Sequence, residues 1–147
     1  MTKQQSLDVG ILILRVGIGL LFIMHGWPKL IGGPEGWAGL GGSMSVLGIN
    51  FAPAFWGFMA AIAEFFGGIL LIIGLFVQPA SFFMFFTMFV ATIVKMQSDE
   101  PLGFLGAIKQ ASHPLALAIV FLALMFIGAG SYALSAKFEH LADKWYG

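Results

Sequence analysis

The stretch DVGILILRVGIGLLFIMHGWPKLI, from Asp8 to Ile31, determines the fold class of this chain. Roughly 20 consecutive apolar residues allow an α-helix to cross a hydrocarbon core of about 30 Å, so the stretch predicts one membrane crossing. Arg15 lies inside the apolar run. A charge at membrane depth costs roughly 2.5 to 3.5 kcal/mol on insertion scales, which makes this arginine a candidate functional residue.

Three further apolar stretches, over residues 53–77, 80–97 and 113–133, give the same prediction. In lipid, backbone N–H and C=O groups must be satisfied within the protein, and a helix does this along its own axis. We therefore predict an all-α fold, an integral membrane four-helix bundle that forms a single transmembrane domain over residues 1–147. Four crossings place both termini on the same side of the membrane.

The composition excludes several classes of protein. Apolar residues make up 59% of the chain and charged residues 10%, whereas soluble domains have about 45–50% and about 25%. The formal net charge is zero, which gives no electrostatic footprint for nucleic acid. The sequence contains no cysteine, and this excludes disulfides, cysteine-ligated iron–sulfur clusters and thiolate metal sites. Any redox role therefore requires a borrowed cofactor.

Two segments outside the crossings are predicted to lie at the membrane surface. Residues 32–50 contain seven glycines and a tryptophan, and tryptophan favours the headgroup boundary. We expect a loop there with a short interfacial helix that forms a lid over the bundle. Residues 135–146 place Phe138, Leu141 and Trp145 at spacings of three and four, which is typical of an amphipathic tail helix lying on the membrane.

Polar residues from several crossings fall at a similar depth. If each helix rises about 1.5 Å per residue, Glu64, Lys95 and His25 lie at nearly the same distance from the terminus-side ends of their helices. Lys29 and His113 lie just beyond them, toward the opposite end of the bundle. The sequence therefore predicts that ionisable groups from separate crossings come together in the membrane interior.

Arg15 lies closer to the terminus side, and an arginine side chain can cover much of the gap to Glu64. A buried carboxylate without a cation or a hydrogen bond would be neutralised, so we predict an ion pair between these two residues. At about 100° per residue, Arg15, His25 and Lys29 fall within an arc of about 80° on the first helix. All three can therefore point into the bundle.

We expect these groups to line one lipid-shielded pocket, in two kinds of role. The candidate catalytic residues are Glu64, His25 and Arg15, and the candidate substrate-binding residues are Lys95, Lys29, His113 and Trp27. No metal site is predicted.

A structural interpretation stays open for most of these residues. Arg15 and Glu64 can form an ion pair that only fixes the register of two helices. Lys29 and Lys95 can extend along apolar surface to place their ammonium groups at the interface. The two histidines stand close to the membrane boundary, where an imidazole contacts water as readily as it binds a ligand or transfers a proton.

Two strings carry a resemblance to a known family. LRVGIGLLFIMHGWPKLIG (Leu14 to Gly32) and AEFFGGILLIIGL (Ala63 to Leu75), with the lysine that closes the third crossing, resemble the DoxX family of small bacterial four-helix membrane proteins. The resemblance extends from Leu7 to Ala133. It implies a multi-pass protein of the bacterial plasma (inner) membrane with both termini in the cytoplasm.

The resemblance also implies a function. Relatives that resemble the DoxD subunit belong to a thiosulfate:quinone oxidoreductase, so the expected function is that of a subunit of a quinone-linked membrane oxidoreductase, with quinone as the cofactor. A quinone needs an apolar channel for its tail, a cation or imidazole for its carbonyl, and a carboxylate to relay protons. The electrons must come from a redox partner protein or a bound donor. Membrane lipid and a second copy of the chain are further expected contacts.

Two alternatives of other classes remain at this stage. Three inward-facing basic residues would attract an anionic group, as in a non-catalytic carrier or binding protein for a small anion or a lipid. Alternatively, the lid loop and the small-residue faces of the helices could dock the chain into a larger membrane complex as an assembly subunit.

Overall fold

A computed structural model describes residues 1–97 and 103–138 of the chain. No strand occurs within these ranges, and the all-α prediction is confirmed. The helices are α1 (Lys3–Ile31), α2 (Gly33–Gly41), a 3₁₀ helix (Gly42–Leu47), α3 (Pro53–Ile73), α4 (Val77–Met96), α5 (Gly103–Gln110) and α6 (Ser112–Ile127).

Three of these helices, α1, α3 and α4, are long and apolar enough to cross a membrane. A fourth crossing is possible only if α5 and α6 together count as one span, since they are bent by 65° relative to each other. The described helices therefore form an all-α membrane bundle with three continuous spans, and with a fourth, broken span where the bent pair α5–α6 is counted as one crossing.

The fourth crossing differs from the prediction of one helix over residues 113–133. Helix α6 has 16 residues, about 24 Å of rise, and it ends at Ile127. Beyond it, Gly128 and Gly130 have positive φ angles of 80° and 71°, a conformation that side chains with a Cβ rarely adopt. The hydropathy of residues 113–133 did not show that the helix ends at Ile127, because hydropathy does not depend on the direction of the backbone.

Helix α1 begins five residues earlier than the predicted start at Asp8. The side chain of Thr2 accepts a hydrogen bond from the backbone N–H of Gln5, and the Gln5 side chain accepts one from the backbone N–H of Thr2. This reciprocal capping box satisfies two N–H groups that a helix start would leave unpaired. Helix α4 likewise starts at Val77 instead of residue 80.

Glycines set the packing of α1 against α3. A Cβ added to Gly19 would lie 2.6 Å from the carbonyl oxygen of Gly68, and a Cβ added to Gly68 would lie 2.7 Å from that of Gly19. The two backbones therefore touch at this point, as small residues allow in membrane helices. This contact fixes the register of the two antiparallel helices.

The first loop forms a helical lid, as predicted, and glycines also fix its position. A Cβ on Gly41 would collide with the carbonyl group of Pro53, and one on Gly57 would collide with that of Trp37. The indole Nε1 of Trp37 also donates a hydrogen bond to the backbone oxygen of Lys29 at 3.0 Å. Helix α2 is therefore pressed onto the first half of α3 and held to the end of α1.

At the C-terminus, residues 134–138 are helical. The rest of the predicted amphipathic tail, residues 139–146, lies outside the described residues.

Candidate functional site

The side chains of Lys29 and Glu64 form an ion pair. The ammonium nitrogen of Lys29 donates to both carboxylate oxygens of Glu64, at 2.6 Å each. The side chain of Glu64 is 1% exposed, whereas that of Lys29 is 35% exposed. The pair therefore joins a buried carboxylate to a cation that still reaches the outside of the bundle.

The register of α1 and α3 brings these two residues together. A Cβ added to Gly26 would lie 2.6 Å from the backbone nitrogen of Phe65, so the helices also touch one turn before Lys29. Glu64 is the neighbour of Phe65 on α3. The close backbone contact at Gly26 therefore places the Lys29 side chain within reach of the carboxylate.

The predicted ion pair between Arg15 and Glu64 is wrong. The Arg15 guanidinium donates instead to the carbonyl oxygens of Leu71, at 3.3 Å, and Tyr132, at 3.0 Å. From the contact between Gly19 and Gly68, Arg15 lies four residues away in one direction and Glu64 four residues away in the other. Eight residues correspond to about 12 Å along the helix axes, so Lys29 is the nearer cation for the carboxylate.

Backbone groups surround Arg15, which is fully buried. Leu71 belongs to the last turn of α3, and its carbonyl oxygen accepts from the capping N–H of Gly74 at 3.2 Å as well as from Arg15. A Cβ on Gly74, the residue that ends α3, would collide with the guanidinium. Nearby on α1, Asp8 accepts a hydrogen bond from the backbone N–H of Ser131 at 3.3 Å. We call the group of Arg15, Leu71, Gly74 and Tyr132, with Asp8 and Ser131, the Arg15 cluster.

The Lys29–Glu64 pair lies on the wall of a cavity of about 650 Å³ between α3, α4 and the lid. On α3 the lining extends from Phe55 to Leu70, a stretch of 16 residues whose ends are about 22 Å apart. Most of the lining is apolar, and α4 contributes residues from Ala80 to Ala91. We call this cavity the α3–α4 groove.

Aromatic side chains border the α3–α4 groove on the outer surface of the bundle. Phe55, Phe82, Phe83 and Phe86 all line the groove and are all exposed. In a membrane-spanning bundle, exposed phenylalanines on two adjacent spans face acyl chains. An apolar molecule dissolved in the bilayer therefore has a route into the groove between α3 and α4.

The lid closes one end of the groove. Leu40, Ser43 and Met44 from the lid line it, and Met44 is itself buried. Trp56, in the first turn of α3, also lines the groove, and its indole nitrogen is buried with no hydrogen-bond partner. The groove thus combines a long apolar wall with an ion pair and a free indole donor.

Four residues predicted from sequence lie away from the groove. Lys95, His25, His113 and Trp27 are exposed, and none of them lines the groove. Trp27 instead packs beside Phe65, with ring centroids 5.6 Å apart. These side chains have similar predicted depths but do not meet inside the bundle. The depth of a residue along a helix does not tell which side of the helix its side chain lies on. Their proposed roles in binding and catalysis stay predictions.

A second cavity, of about 950 Å³, lies at the terminus-side end of the bundle. Two of its polar side chains already have partners: Asp8 accepts from the backbone N–H of Ser131, and Gln78 donates to the carbonyl oxygen of Met125 at 3.1 Å. The α3–α4 groove, with its unpartnered donor and buried ion pair, is therefore the stronger candidate for a ligand-binding site.

Trp56 and the lid residues were missed in the sequence. Tryptophan near the end of a crossing is usually assigned to the headgroup boundary, and only packing of the lid over α3 makes this one part of a groove. A partial signal was present in Gly41 and Gly57, since small residues permit close approach of backbones. Nothing in the sequence indicates that these two glycines serve the same contact.

Comparison with known proteins gives a consistent family assignment. The family model described as DoxX matches residues 10–96. The inner membrane protein YqjF of Escherichia coli (strain K12) is 29% identical over 139 residues, which cover 94% of this chain and 96% of that protein. An uncharacterized protein of Haemophilus influenzae is 30% identical over 125 residues, 85% of this chain and 87% of that one.

A third relative carries a functional name. The protein named "Putative oxidoreductase CatD" of Bacillus subtilis (strain 168) is 32% identical over 72 residues, which cover 49% of this chain and 48% of that protein. No solved structure matches the chain significantly.

Proposed function

The chain belongs to the DoxX family of membrane proteins, and from that premise we propose that it binds a lipid-soluble quinone in the α3–α4 groove as the membrane subunit of an oxidoreductase. The observation that carries the proposal is the Lys29–Glu64 pair on the wall of a long apolar groove. Charged groups at membrane depth are costly and mark ligand or proton sites.

The residues of the groove suit the two parts of a quinone. A lysine ammonium has three N–H donors, and Lys29 uses two of them on the oxygens of Glu64. The third is available for a quinone carbonyl. The apolar lining, about 22 Å long on α3, offers an isoprenoid tail the contact that it has in the bilayer.

The ion pair also suits proton transfer. Reduction of a quinone to a quinol takes up two electrons and two protons. Glu64 is buried, whereas Lys29 is 35% exposed, so the lysine is the point at which protons from water reach the carboxylate. The chain contains no cysteine that could relay electrons, so in this proposal the two electrons come from a redox partner protein or a bound donor.

The relatives support the class of function and the location. The printed name of the Bacillus subtilis relative includes the word oxidoreductase, and that of the Escherichia coli relative places it in the inner membrane. We extend both to this chain as part of the proposal, with both termini in the cytoplasm. A carrier for small anions fits less well, because Glu64 neutralises Lys29 and leaves the pair without the net positive charge that would attract an anion.

The proposal is tested by quinone binding to the purified protein in lipid nanodiscs. Four tryptophans give an intrinsic fluorescence that a bound quinone quenches, and the titrant is decyl-ubiquinone. Lys29→Met and Glu64→Gln are each expected to weaken binding about tenfold or more, as loss of a charge-assisted hydrogen bond predicts. The control is Lys109→Met, since Lys109 is exposed on α5.

Saturable binding by the parent protein and by Lys109→Met, with weak binding by the two groove variants, supports the proposal. Absence of saturable binding by the parent protein, or equal binding by all four proteins, would contradict it.

A further inference from the structure

The α3–α4 groove contains a hydrogen-bond donor that no protein group satisfies. The indole nitrogen of Trp56 is buried and has no acceptor among the described residues. Buried polar groups in folded proteins are nearly always hydrogen-bonded, so an exception in a cavity indicates a missing partner. Because the nitrogen atom itself is buried, bulk water does not reach it in this arrangement.

Trp37 shows what the usual arrangement is in the same region. Its indole nitrogen donates to the backbone oxygen of Lys29 at 3.0 Å and holds the lid to α1. The ring of Trp56 packs against Phe51 and Phe55 with centroids 6.1 and 5.2 Å away, as that of Trp37 packs against Phe58 at 4.6 Å. The two indoles therefore have similar ring contacts, but the N–H of Trp56 has no partner among the described residues.

Trp56 stands on the same helix as Glu64 and lines the same groove. The two residues are eight positions apart, about 12 Å along α3 and about 80° around it. The small residues Ala60 and Ala63 line the groove between them. Met59 and Ile62 also line the groove but lie to one side, whereas Ala60 stands midway between Trp56 and Glu64, four residues from each, so one molecule can extend along this wall to both.

We propose that Trp56 is the second polar contact of the bound quinone, with its indole N–H donating to one ring oxygen while Lys29 holds the other. The inference rests on the proposed function and adds a requirement on the ligand. The ligand must carry acceptor oxygens on two edges of its head, as the two carbonyls of a 1,4-quinone do. The Trp56 N–H then selects against an apolar molecule of the same size, because such a molecule leaves the donor unpaired.

A carbonyl oxygen could also come from the ester of a phospholipid whose headgroup lies beside Trp56. The chemistry at the indole is the same in both cases, and the source of the oxygen differs. Lipids with ether linkages have no ester carbonyl. Nanodiscs of ether lipid therefore distinguish the two sources.

The experiment measures the indole ¹H–¹⁵N signals of the four tryptophans in ether-lipid nanodiscs during titration with decyl-ubiquinone. Trp56→Phe assigns its signal, and the signal of Trp37 serves as an internal reference for an indole that is already bonded. We expect the Trp56 proton to shift downfield as the quinone binds, with the Trp37 proton nearly unchanged. A Trp56 signal that stays in place at saturation would overturn the inference.

A second measurement uses the substitution itself. Trp56→Phe keeps an aromatic ring against Phe51 and Phe55, and its thermal unfolding is compared with that of the parent protein. We expect it to bind decyl-ubiquinone about tenfold more weakly, as loss of one hydrogen bond in a dry site predicts. Decylbenzene, which has the tail and ring without the oxygens, should bind both proteins equally.

The outcomes separate the two proposals. Binding that depends on Lys29 and Glu64 but leaves the Trp56 signal and affinity unchanged overturns only the role of Trp56. The Trp56 signal can also be shifted already in ester lipid and fail to respond to quinone in ether lipid. That result would assign the acceptor to phospholipid and would also overturn the role of Trp56 in quinone binding. If the parent protein binds no quinone, both proposals fail.

Discussion

The Arg15 cluster and the Lys29–Glu64 pair each contain a basic side chain of α1, and the two side chains have different partners. In both, a basic side chain on α1 reaches across to α3 inside the bundle. Arg15 meets backbone carbonyls of Leu71 and Tyr132, whereas Lys29 meets a carboxylate on the wall of a groove. The comparison teaches that a charge inside the bundle does not by itself mark a ligand site, because Arg15 bonds only to backbone carbonyl groups, whereas the pair for which we propose a ligand lies on the wall of a groove.

Arg15 and Lys29 have different partners because they lie beside different parts of α3. Arg15 lies beside the end of α3, where the last carbonyls of the helix have free lone pairs. The forked guanidinium suits two carbonyls that lie in different directions. Lys29 lies beside the middle of α3, where the backbone is fully bonded and only the side chain of Glu64 can receive it.

The largest expected effect is that of Arg15→Leu on folding. Two hydrogen bonds to a charged donor are lost, one buried and one partly buried, so we expect the free energy of unfolding to fall by about 3 kcal/mol. Glu64→Gln should add to this loss without coupling, because sites beyond about 7–10 Å with no shared partner behave independently. Unfolding of the two single variants and the double variant in mixed micelles measures the coupling. Recovery of stability in the double variant would mean that the two charges form a pair after all.

An intermediate effect is expected at the contact that sets the register of both regions. Gly19→Ala places a Cβ against the backbone of Gly68 and should destabilise the bundle by about 2 kcal/mol. Gly17→Ala is the matched control on the same helix, because nothing lies within 4 Å of a Cβ at that position. Thermal unfolding of the two variants is the measurement. Equal melting temperatures would argue against close packing at Gly19.

The smallest expected effect is a difference within the Lys29–Glu64 pair. Lys29→Met leaves a buried carboxylate without its cation, whereas Glu64→Gln leaves a lysine that can extend to water. We expect Lys29→Met to be the less stable of the two by about 1 kcal/mol, after allowance for the exposure of Lys29. Denaturant titration of both variants in the same micelles gives the difference. The reverse order would show that Lys29, and not Glu64, is the group that depends on the pair.

Several features of the site were visible in the sequence. Lys29 and Glu64 stood out because charged residues are rare in long apolar stretches, and both are part of the groove. The helical lid was also predicted from the glycines and the tryptophan of residues 32–50. The pairing of charges was wrong, because depth was counted from predicted helix ends and the true register depends on the contact between Gly19 and Gly68.

The sequence by itself determined that this protein is an all-α membrane bundle, since apolar stretches of span length have no other stable arrangement in lipid. It also determined which residues bear charge within the bundle. Only the tertiary structure showed that Glu64 forms an ion pair with Lys29 and that Arg15 donates to a carbonyl group at the end of α3. It also showed that Trp56 lines a groove. The physical reason is that burial and hydropathy are properties of single residues, whereas a partner is set by the register, rotation and ends of packed helices.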